Sequence, residues 1–91
     1  MPGNNLYLIE YKEAVVSRDI PSLSTSAKKL IIRSIDERLT VAPLSFGKPL
    51  KHAFNGYRSL RVGRYRIIYI IDEINRKVII HSIDHRKDAY L

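Results

Sequence analysis

Two arginine-bearing apolar runs separated by one glycine constrain this chain more than any other stretch. They are Tyr57-Arg58-Ser59-Leu60-Arg61-Val62 and, across Gly63, Arg64-Tyr65-Arg66-Ile67-Ile68-Tyr69-Ile70-Ile71. Their β-branched and aromatic residues suit a pleated sheet, and so short an interruption makes the runs neighbours in a β-hairpin. Alternation then assigns faces. Leu60 and Val62 share one face, so Ser59 and Arg61 point the other way. Tyr65, Ile67, Tyr69 and Ile71 form one row of the second run, while Arg64 and Arg66 share the opposite row with Ile68 and Ile70. An arginine in so apolar a run has to be paired or functional, because a buried, uncompensated guanidinium is expensive. For Arg66 the surrounding cationic excess favours a site. Arg58 and Arg64, near strand ends, read first as solvated charges.

The remaining segments supply what covers the hairpin. Leu6-Tyr7-Leu8-Ile9-Glu10-Tyr11 reads as a first strand, and residues 12–19 as a short helix that Ile20-Pro21 closes. The serines between Ser22 and Ser26 offer N-caps. Ala27, Leu30, Ile31, Ile35 and Leu39 then recur at helical spacing, which predicts a main helix of about four turns. Residues 44–55, punctuated by proline and glycine, predict a loop with Lys48, Lys51 and His52 facing solvent. After a polar turn at 72–76, residues 77–84 form the last strand. The order β-α-α-β-β-β predicts an α+β fold, with two N-terminal helices on one face of a small, mainly antiparallel sheet. The other face is left for a ligand.

At 91 residues without cysteine, the chain is expected to be a single domain, 1–91, with neither disulfides nor a thiolate metal site. No apolar run approaches the roughly twenty residues of a membrane-spanning helix, and the first residues lack a signal-peptide pattern. A soluble, cytoplasmic protein is the expectation. The formal net charge is +7, of which residues 48–91 carry +6 and residues 1–47 only +1. A basic surface of this kind attracts a polyanion such as nucleic acid.

Beyond the hairpin, His85-Arg86-Lys87 follows the last strand, with Tyr90 nearby to offer a ring on which a nucleobase can stack. Histidine is the side chain that titrates nearest neutrality, and its place beside two cations makes His85 the candidate for proton transfer. His52 and His81 have weaker claims, one in a loop and one within a strand. No His or Cys pair has metal-ligand spacing, and neither a glycine-rich phosphate loop nor a Gly-x-Ser-x-Gly elbow is present. Neither metal nor cofactor is therefore expected. A cluster of Arg, Lys and one His suits metal-free phosphoryl transfer, in which an RNA 2'-hydroxyl attacks the adjacent phosphate and cations stabilise the growing charge.

The runs 59–69 and 84–90 resemble the RelE branch of the RelE/ParE toxin superfamily of type II toxin–antitoxin systems. That resemblance implies a ribosome-dependent mRNA endonuclease, neutralised by a RelB-like cognate antitoxin in a hetero-oligomer. It implies that Arg66 contacts the scissile phosphate, that Arg86 stabilises the transition state or acts as acid, and that Arg61 fills a basic position. His85 completes the expected catalytic set. Lys48, Lys51, Arg58, Arg64, Lys87 and Tyr90 are the expected RNA contacts. Ser59 departs from the pattern, standing where many active members carry a lysine or arginine. Lys48 or Lys51 is then expected to supply that charge from the loop, or His85 to serve as the acid or base. Two other readings stay open: a ParE-like DNA gyrase inhibitor, and an inactive toxin homologue that only binds antitoxin.

Overall fold

The computed structural model describes residues 6–85 of the chain. Five strands form one sheet in the order β1-β5-β4-β3-β2, with β1 Leu8–Tyr11, β2 Lys48–Pro49, β3 Arg58–Val62, β4 Tyr65–Asp72 and β5 Lys77–His85. Strand β1 runs parallel to β5, and every other neighbouring pair is antiparallel. Helix α1 occupies residues 13–19 and ends in a π turn, Val15–Asp19. Helix α2 is Thr25–Ser34 and continues as a π turn, Ile35–Leu39, while α3 is the single turn Pro43–Phe46.

This corrects the expected order β-α-α-β-β-β. The segment read as a loop contains both α3 and the edge strand β2. Neither has a sequence signal of its own: α3 is one turn opened by Pro43 at its first positions, and β2 is two residues that exist by pairing with Ser59 and Arg58. Among the described residues, no helix is long and apolar enough to cross a membrane.

Helix α2 starts where Ser24 Oγ accepts the Ala27 N–H at 3.2 Å, one of the several caps on offer. Ile31, Ile35 and Leu39 are fully buried, whereas Leu30 of the expected stripe is 48% exposed. A strict four-residue repeat overshoots the 3.6-residue turn by about 40° per step, and the wider turn over 35–39 keeps Leu39 on the buried side. These side chains join Val15 of α1 and the row Leu60, Val62, Ile67, Tyr69, Val78, Ile80 and Ile83 in one core cluster. The hairpin alternation holds, with Tyr65 and Ile71 packed against that cluster from the same row.

Strand β5 breaks its own alternation. Tyr69 pairs with Ile80 and Ile68 with Ser82, so His81 is an extra residue, a β-bulge. Ile80 and Ile83 both reach the core, which leaves His81 and Ser82 together on the outer side. Past the bulge, the buried Asp19 of α1 accepts the Ile83 N–H at 3.0 Å and ties the helix to the strand.

Candidate nucleic-acid interface

The outer face of β3 and β4 carries the cations. Arg61 and Arg66 are partners in the β3–β4 register, and Lys48 of β2 is the register partner of Ser59. Cross-strand partners have Cβ atoms about 5 Å apart, so these four side chains form one patch. They line a groove of about 520 Å³ together with Arg38 from the end of α2 and Phe46 from α3. The Arg38 guanidinium lies 5.9 Å from the centre of the Phe46 ring. Arg66 donates from Nε to Ser59 Oγ at 3.1 Å. Its partner on β5 is Asp84, whose carboxylate accepts from Ser82 Oγ at 3.1 Å. Arg66 is thus flanked by an acceptor on one strand and a carboxylate on the next, while Arg61 stands exposed beside it. Arg38, Lys48, Arg61 and Arg66 give the groove an electropositive lining suited to a phosphate ester.

The wall bearing Phe46 and Lys48 is fixed from the opposite face. Arg58 donates from Nη2 to Leu44 O at 2.8 Å and to Gly47 O at 2.6 Å, and Tyr69 Oη donates to Pro43 O at 2.6 Å. Residues 43–47 therefore hang on two side chains that rise from the core side of adjacent strands. A Cβ on Gly47 would lie 2.0 Å from Tyr69 Oη, so only glycine admits so close an approach. Burial raises the Tyr69 phenol pKa above its ordinary value, which keeps it protonated and donating.

The expected residues divide accordingly. The structure brings Arg61, Arg66 and Lys48 together, and Lys48 is a strand residue next to Ser59, not a loop lysine. Arg58 is corrected from a solvated charge and RNA contact to a clamp on residues 43–47. Arg64 is corrected from a strand position to the tip of a two-residue turn that Gly63 opens at φ +58°. Lys51 is exposed and outside the groove lining, just before the 3₁₀ turn His52–Phe54. His85 is corrected most. It lies within β5, opposite Tyr65 on the core-side row, with the two rings edge-on at 5.2 Å. A regular strand would have left it on the face of Arg66, and the bulge at His81 flips it. Arg86, Lys87 and Tyr90 lie outside the described residues. Sequence reasoning missed Arg38 and Phe46. Arg38 adjoins Leu39 and follows the buried Ser34 by four positions, so its place at the margin of the buried stripe was a usable signal.

A family model described as the ParE toxin of the type II toxin–antitoxin system parDE matches residues 10–90. The chain is similar to the toxin RelG of Mycobacterium tuberculosis, 36% identical over 73 residues that make up 80% of this chain and 84% of the relative. It is also 31% identical over 77 residues to the toxin RelE of the same organism, covering 85% and 79% of the two chains. Among solved structures, the toxin–antitoxin complex RelBE2 of M. tuberculosis superposes with a TM-score of 0.84 at 31% identity, covering 89% of this chain and 99% of that one. The isolated E. coli RelE toxin, at 14% identity and a TM-score of 0.71 over 87% of this chain and 83% of that one, shares the fold.

Proposed function

From the premise that the chain belongs to the RelE/ParE toxin superfamily, we propose that it is a ribosome-dependent mRNA endonuclease that cleaves by attack of a 2'-hydroxyl on the adjacent phosphate. The observation that carries this reading is the convergence of Arg61 and Arg66 with Lys48 and Arg38 on one groove. As the 2'-oxygen attacks and gives up its proton to solvent, negative charge grows on the non-bridging phosphate oxygens, and the P–O5' bond breaks to leave a 2',3'-cyclic phosphate and a protonated 5'-hydroxyl. Arg66, oriented through Nε by Ser59, presents its guanidinium charge there. Ser59 thus acts as a support for Arg66 and Lys48 brings the cation beside it, a distribution that answers the departure at Ser59. Arg61 and Arg38 hold the backbone on either side, and Arg86 is the proposed acid or further stabiliser, with Lys87 and Tyr90 as proposed contacts. No metal enters this scheme, since the cations do the charge stabilisation. The solved relative RelBE2 is a toxin–antitoxin complex, which supports a cognate antitoxin as the partner of this chain.

The test is end-mapping of mRNA in a translating extract with wild-type protein and with Arg66→Ala plus Arg86→Ala. New 5' ends with the wild type alone are expected, and intact message with the wild type would sink the proposal. The description of the matched family as ParE favours a second reading, DNA gyrase inhibition. Supercoiling by purified gyrase in the presence of this chain separates the two: inhibition with message intact selects gyrase.

A further inference from the structure

On the outer face, one row beyond Arg66, Ile68 is only 6% exposed although it is not part of the core cluster. Half-buried Ile70 and Ile79 continue this apolar strip. Two aromatic rings lie across it. Tyr57, just before β3, and His81, the bulge residue of β5, have ring centroids 5.0 Å apart at an interplanar angle of 59°. The pair bridges over β4, because Tyr57 immediately precedes β3 and His81 lies in β5, the two strands that flank it.

Tyr57 is fixed in place, and His81 is held at some cost. Tyr57 is pinned through its backbone, its O accepting from Leu50 N at 2.9 Å and its N donating to Phe54 O at 3.0 Å. His81 sits where the β4–β5 ladder is interrupted, and its Nδ1 is buried without a hydrogen-bond partner among the described residues. A bulge and an orphaned ring nitrogen are both unfavourable, and a leucine at each position would cover Ile68 and Ile70 without the orphan. Packing alone does not account for this aromatic pair.

We infer that Tyr57 and His81 form a base-stacking subsite for the nucleotide next to the phosphate held by Arg61 and Arg66. This inference rests on the RNA reading of the groove. Tyr57 precedes Ser59 by two residues at the start of β3, about 7 Å in extended chain, so a phosphate at the Ser59–Arg66 pair sets the base of the same or the next nucleotide over the rings. Aromatic side chains bind unstacked RNA bases through their faces, and the ligand class is therefore single-stranded RNA. The larger ring system stacks better, so the subsite prefers a purine at that position.

The experiment compares wild type, Tyr57→Leu, Tyr57→Phe and His81→Leu by end-mapping and cleavage rate on the same message in translating extract, with thermal unfolding as a folding control. Tyr57→Leu is expected to cleave about tenfold more slowly and to lose the purine preference, while Tyr57→Phe retains both. Equal rates and equal cut sites for wild type and both leucine variants would overturn the inference while leaving the nuclease reading intact. Failure of the wild type to cut would overturn both. Should the leucine variants not fold, a message carrying an abasic nucleotide beside the cut decides: about tenfold slower cleavage by wild type supports the subsite, and an unchanged rate removes it.

Discussion

Arg58 and Arg61 stand three residues apart on one strand and serve opposite sides of the sheet. Arg58 faces the core side, where its Nη2 donates to the carbonyls of Leu44 and Gly47. Arg61 faces outward beside Arg66 and is exposed. The charge is the same and the use is not. The core-side arginine shapes the wall of the groove, while the outer arginines fill it with positive potential. A count of cations in a basic half-chain therefore overstates its binding surface.

That contrast can be broken in graded ways. The largest expected effect is that of Gly47→Ala, whose Cβ would collide with the Tyr69 hydroxyl. Displacing a buried tyrosine or residues 43–47 should cost about 3 kcal/mol, read as a lowered urea midpoint, with cleavage lost alongside stability. A midpoint within experimental error of wild type would show that the close approach is not a constraint. Next, Arg58→Ala removes two hydrogen bonds and should cost about 1–2 kcal/mol. Arg61→Ala, on the exposed side, should change stability by no more than about 0.5 kcal/mol yet weaken RNA contact. Equal destabilisation by the two variants would erase the distinction between the faces.

Ser59→Ala tests a finer point. Losing the acceptor of Arg66 Nε should slow cleavage by several-fold, about what one modest hydrogen bond is worth, with stability nearly unchanged. No change in rate would mean that Ser59 does not orient Arg66. The smallest effect near neutrality is electrostatic and sits on the core side. Burial, with help from Asp36, pushes the Tyr11 phenol up to about 12 from 10.0. A pKa raised by folding means that the native state holds the proton more tightly than the unfolded chain does. Its stabilising contribution is complete below pH 10 and is lost between about pH 10 and 12, and burial of Tyr69 acts in the same direction. Urea midpoints across this range should fall less for Tyr11→Phe than for wild type, and parallel curves would contradict that.

Much of this division was legible in the sequence. Leu60 and Val62 against Ser59 and Arg61, and Ile67 and Tyr69 against Arg66, follow from a period of two in strands long enough to display it. The stripe Ile31, Ile35 and Leu39 follows from helical spacing. What stayed hidden depends on contacts between distant residues. Lys48–Pro49 becomes a strand only because β3 is there to pair with it, and Arg58 is structural only because residues 43–47 return to meet it. The bulge at His81 has no local signature, since Lys77 to Asp84 reads as an unbroken strand. That single extra residue moves His85 away from the arginines and puts Asp84 opposite Arg66 instead.

The central claim is that the outer groove, through Arg66, stabilises charge on an RNA phosphate. The most direct measurement is the single-turnover cleavage rate of a short message on programmed ribosomes, with wild type and Arg66→Ala compared at equal folded fraction. Removal of one preorganised donor at the reacting phosphate should slow cleavage about 100-fold or more while leaving the urea midpoint in place. A rate for Arg66→Ala within about threefold of wild type, less than 0.7 kcal/mol of transition-state stabilisation, would contradict the account.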